Sequence, residues 1–86
     1  MNPIRRLRGT KTDPDGGEVA VVAEIFPPEP NEGHPDWSCR NHCPFLLDTD
    51  KRIIGVDGAQ AIELSEMFLK DLLDHKGVVV TAEEKS

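Results

Sequence analysis

The stretch VDGAQAIELSEMFLKDLLDHKG, from Val56 to Gly77, is the segment whose pattern decides the fold. On a wheel of about 100° per residue, Ala61, Leu64, Phe68 and Leu72 stack along one line. Ile62, Ser65, Leu69 and Leu73 lie beside them, which widens the apolar arc to about half the circumference. Glu63, Glu66, Lys70 and Asp74 fall opposite and suit water. Asp57 fits an N-cap, since its carboxylate can accept from free N–H groups of the first turn. Gln60, three residues on, completes a capping-box spacing. His75 and Lys76 complement the C-terminal dipole, and Gly77 suits the left-handed position that closes a helix. Asp71 and Asp74 oppose that dipole. The pattern predicts one amphipathic helix that docks through Leu64, Phe68 and Leu72, with Trp37 as a further core anchor.

Working outward, the best strand is Glu18 to Phe26. Val19, Val21, Ala23 and Ile25 share the face expected to meet the helix, while Val22 and Phe26 make the other face mixed. Pro3 to Gly9 reads as a shorter first strand. The turn set TDPDGG, residues 12–17, separates the two. Pro27, Pro28 and Pro30 stop the second strand, and residues 27–36 read as an exposed loop. Trp37 to Leu47 alternates again, with Trp37, Cys39, Cys43 and Phe45 on one side and Asn41 as the polar exception. Pro44 implies an edge or a bulge. Arg52 to Val56 is a short returning strand. Val78 to Thr81 is a possible last one, and residues 1–3 and 82–86 are expected to fray. The expectation is a single α+β domain: an antiparallel meander of three to four strands with one helix across one face.

Eighty-six residues lie near the lower size at which one core suffices. With 37% hydrophobic residues and no apolar run of about 18, a membrane partner is not expected. The N-terminal MNPIRRLR lacks the apolar stretch of a secretory leader, so a cytoplasmic address is expected. The net charge of −6 disfavours nonspecific nucleic-acid binding. Arg5, Arg6, Arg8 and Lys11 nevertheless cluster near the start. They suit either a nucleic-acid contact or an edge strand guarded by cations, and without an aromatic stacking platform the second reading is preferred.

His34, Cys39, His42 and Cys43 are the one cluster with metal-ligand chemistry, two thiolates and two imidazoles. On an extended strand, however, Cys39 and Cys43 are about 13 Å apart, and His42 points to the other face. Half-buried or core cysteines are the preferred reading, and no metal or other cofactor is expected. The same distance excludes a disulfide between them. A cysteine nucleophile would need an orienting partner and an oxyanion site, neither of which is evident. No carboxylate pair stands out as a general acid and base. Asp48, Asp50 and Asp57 do not match a calcium loop, and Gly55 to Gly58 lacks the lysine and glycines of a phosphate loop.

Trp37-Ser38-Cys39 opening a strand, followed by Gly55-Val56-Asp57-Gly58-Ala59-Gln60-Ala61 leading into a helix, resembles a family of small bacterial domains of unknown function. In these, a W-x-C strand and a G-[VI]-D-x-x-Q-A helix start follow an arginine-rich strand. The resemblance spans Ile4 to Lys76 and is specific over Trp37 to Leu73. Arg40 to Pro44 is less apolar than the family pattern, and the C-terminal valine strand also departs from it. The resemblance implies a fold and transfers no activity, cofactor or site residue.

The functional expectation is a noncatalytic protein-interaction domain with an acidic surface. Its partner would be either a second copy, meeting through the sheet or the C-terminal valines, or a basic protein. The alternatives are a metal- or thiol-dependent sensor or enzyme using His34, Cys39, His42 and Cys43, and a nucleic-acid contact through the N-terminal arginines.

Overall fold

A computed structural model describes residues 2–85. The alternating valines and arginines pair first: β1 (Arg5–Thr12) and β2 (Glu18–Ile25) form a hairpin from Arg5↔Ile25 to Thr12↔Glu18. Its turn is held by Asp13, whose Oδ1 accepts from the N–H groups of Asp15 and Gly17 at 3.0 and 2.9 Å. Gly16 supplies the positive φ of 87° that the turn needs. After the prolines come a two-residue β3 (Glu29–Pro30), then β4 (Trp37–His42) and β5 (Lys51–Gly55). Helix α1 (Gly58–His75) and β6 (Val78–Lys85) complete the chain.

All pairings are antiparallel. Among the described residues the result is an α+β fold with one helix and six strands, more strands than the three to four expected. Two of the differences are local. The third long strand ends at His42 instead of Leu47, because the N–H groups of Leu46 and Leu47 both turn back to the Cys43 carbonyl around Pro44. The loop over residues 27–36 is not featureless either: Glu29 and Pro30 pair with Ser38 and Trp37. The Asn31 side chain also ties Asp36 to Ser38.

The third difference is the tail. Residues 82–85 do not fray but pair with β1, from Arg8↔Ala82 to Arg5↔Lys85. Charge suggested a solvated end. Arg6 and Arg8 instead meet Glu84, so cross-strand attraction holds the segment in the sheet. The fraying expected of residues 1 and 86 lies outside the described residues. Between Arg8 and Gly9 the pairing with β6 shifts register, leaving Thr81 as an extra residue whose Oγ1 donates to the Arg8 carbonyl. Such a bulge twists an edge and discourages further strand addition.

Strand β5 lies along one edge of β4, so β2 and β3 share the other. Strands β2 and β4 pair only through Glu24↔His42 and Ile25↔Asn41. On one side of this junction β1, β2 and β6 run out together; on the other, β3, β4 and β5 run the opposite way. The staggered sheet gives an elongated molecule of 50 × 23 × 20 Å. Helix α1 starts beside the Trp37 end and finishes at Val78, which pairs with Lys11, so it lies across the junction.

Asp57 caps the helix, its Oδ1 accepting from the Gln60 N–H at 2.8 Å. Gln60 Oε1 in turn accepts from Val56 N–H, one residue outside the usual box. Gly77 takes φ 78° after the C-cap.

The helix is rolled relative to the predicted orientation. Its buried stripe is Ala61, Ser65, Leu69 and Leu73, whereas Leu64 is 36% exposed and Phe68 and Leu72 are only partly covered. Small residues decide this roll. Ala61 and Ser65 let the first turns press onto β5 and β4, so closely that a Cβ on Gly55 would lie 2.5 Å from the Ala61 nitrogen. Leu69 and Leu73 fill the space beyond, over Leu7, Val21, Ala23, Ile25 and Val78. Trp37 packs against this core from its margin.

Candidate functional site

The arginines of β1 sit on a surface built to neutralise them. Arg5 Nε donates to Glu66 on the helix at 2.8 Å. Arg6 lies against Glu24 and Glu84, and Arg8 against Glu84. On the open face of the sheet, which carries Arg6 and Arg8 but not Arg5, Arg40 pairs with Asp50 at 2.7 Å and stacks 4.1 Å over the Phe26 ring. Arg52 reaches Glu29 at 3.7 Å. Each of the five arginines therefore has a carboxylate. Lys70 pairs with Glu83, and Lys11 lies over the Phe45 ring. No N-terminal guanidinium is left uncompensated to attract phosphate.

Val22 and Phe26 are half-buried beneath the ion-pair lattice, while Leu46 packs into the core on the helix side. Of the C-terminal valines, Val78 is buried and Val80 packs against the core, so only Val79 is well exposed.

The cysteine and histidine cluster is dispersed. Cys39 and Cys43 are both buried within the core. Burial pushes both thiols up, against smaller opposing hydrogen bonds from Ser65 to Cys39 and from the Leu46 and Phe45 backbone to Cys43. His42 points to the opposite face, with Nδ1 2.6 Å from Asp50 Oδ1, and His34 sits exposed in the proline loop. Among the described residues no three His, Cys, Asp or Glu side chains are placed to share an ion. Native protein is accordingly expected to resist a thiol-specific disulfide reagent until urea unfolds it. Equal thiol release before and after denaturation would contradict the burial of Cys39 and Cys43.

The core holds one polar group that alternation alone did not explain. Asn41 is fully buried, and its Nδ2 donates to the Cys39 carbonyl at 3.1 Å and to Ser65 Oγ at 3.0 Å. Its Oδ1 has no protein partner. Asn41 sits where β2 and β4 meet, and through Ser65 it fixes the helix over that junction.

Asp50 is a surface carboxylate with two partners, His42 and Arg40. The hydrogen bond from His42, then that from Arg40, holds its carboxyl below the usual range. Glu84 and Glu83 are lowered likewise, by Arg8 and Lys70. A depressed folded value adds stability above the unfolded value, about 3.9 for aspartate, and loses it as pH falls through the folded one. The stability gap between the natural chain and Asp50→Asn is therefore expected to close in acid. Urea titrations from neutral pH to pH 2 check this; a gap that stays constant would contradict it.

No protein-family model, curated protein or solved structure matches the chain. No helix among the described residues is long and apolar enough to cross a membrane.

Proposed function

We propose that this chain is a noncatalytic protein-interaction domain that offers an acidic surface to a basic partner. The observation that carries the reading is how its charge is divided. Every arginine is matched by a carboxylate within the fold, so the net charge of −6 is expressed mostly by acids that form no ion pair among the described residues. These include Asp15, Glu18, Glu32, Asp48, Glu63, Asp71 and Asp74, set against a few lysines. Such a surface speeds encounter with a basic protein and repels nucleic acid. The buried thiols, and a His42–Asp50 pair that Arg40 also engages, fit a binding role better than a chemical one.

The test is affinity capture of the tagged chain from its native host, combined with cross-linking, at low and high salt. The expected result is one stoichiometric partner that is cross-linked through lysine-rich segments and lost as salt shortens the Debye length below about 10 Å. Recovery of the chain alone, as a monomer, at every salt concentration would overturn the proposal.

A further inference from the structure

The roll of the helix leaves an apolar flank at the margin of the core, against which Phe68 is partly packed. Leu64, Phe68 and Leu72 follow one another at i, i+4 and i+8. Leu64 is 36% exposed, and the neighbouring Met67 is 60% exposed. Phe68, Asp71, Leu72 and His75 line a shallow groove along this flank. From Leu64 to His75 the strip is about 17 Å long, three turns of helix. Its solvent side carries Glu63, Asp71 and Asp74, none of which has an ion-pair partner among the described residues. Lys70, the only lysine in α1, is turned away to Glu83 at 2.7 Å.

We infer that this strip is the docking groove for a basic amphipathic helix of the partner, a conclusion that rests on the interaction reading above. An apolar strip of three turns suits anchors spaced three and four residues apart. The unpaired acids beside it call for lysines or arginines flanking those anchors. A second copy meeting it strip to strip is a poor occupant, because it would bring Glu63, Asp71 and Asp74 against the same acids, and like charges facing one another penalise the contact.

The probe is a synthetic Leu/Lys peptide of roughly 18 residues with helical leucine spacing, long enough to form a helix. Two controls accompany it: an isosteric Leu/Glu twin, and a Leu/Lys peptide of the same composition with the leucine order scrambled. Calorimetric titration gives affinities, and amide shifts locate the contact. The patterned basic peptide is expected to shift residues 63–75. It should bind at least about tenfold more weakly to Leu64→Gln/Met67→Gln and to Glu63→Lys/Asp71→Lys/Asp74→Lys. All five positions are solvent-exposed, and circular dichroism checks that each variant is folded.

Absence of binding, or equal binding of either control peptide, would overturn the groove. So would shifts confined to the open sheet face, or a dimer that Leu64→Gln dissolves. A host partner still held by the triple charge variant would overturn the groove while leaving the interaction reading intact; no host partner at all would remove both.

Discussion

Gly55→Ala is expected to lower stability by about 3 kcal/mol, the upper end of what overpacking usually costs. The added Cβ would meet the Ala61 nitrogen at 2.5 Å, and the Ala61 Cα and Gln60 carbonyl carbon at 2.9 Å. These are backbone atoms of the capped first turn, so no side-chain rotation relieves the clash. The helix must lift from β5, and the lift would open the contact between Ser65 and Asn41. For a domain of this size the loss corresponds to a fall in melting temperature of roughly 12–24 °C. Thermal melts followed by far-ultraviolet dichroism measure it. A melting point unchanged from the natural chain would mean that the helix is not seated on β5 as described.

The second large effect separates two neighbouring stripes of the same helix. Leu69 is fully buried, and Leu69→Ala is expected to cost about 3 kcal/mol from lost burial and the cavity left behind. Leu64 is partly exposed and lies outside the core, so Leu64→Ala is expected to cost under about 1 kcal/mol. Chemical denaturation of the pair decides the matter, because the substitution is the same and only the stripe differs. Equal losses, or a larger loss at Leu64, would return the docking face to the line of largest side chains.

The helix itself was legible, because a cap at Asp57 and Gln60, an apolar period and Gly77 all act locally. Its roll was not. A wheel weighs side chains by size and points to Leu64, Phe68 and Leu72, whereas the contact is set by how near two backbones can come. That depends on Gly55, Ala61 and Ser65 together, and they lie on different elements.

Alternation in Val21, Ala23 and Ile25 revealed the buried face of β2, since a strand with one wet face obeys period two. Residues 82–85 looked like a tail because glutamates and a lysine are poor strand formers. Their place in the sheet depends on arginines more than seventy positions earlier. Cys39 and Cys43 were readable as buried thiols from parity and residue type. The pairing of His42 with Asp50 was not, because it requires knowing how the turn after Cys43 returns the chain. Composition showed an acidic balance, and only the geometry revealed that the arginines are internally matched.

The pairing of β1 with β6 has a consequence for how the chain is made. Residues 5–8 find their outer neighbours in residues 82–85, so β1 waits for a strand made more than seventy positions later. At about 5–20 residues per second, the nascent hairpin spends several seconds with one side of β1 unpaired on the ribosome. During that interval the arginines at positions 5, 6 and 8 act as gatekeepers, their mutual repulsion keeping one growing chain from adding its strand to another. Long-range closure of this kind is intrinsically slow. The cations later joined to Glu66, Glu24 and Glu84 would thus guard the translation intermediate before they tie the finished sheet together.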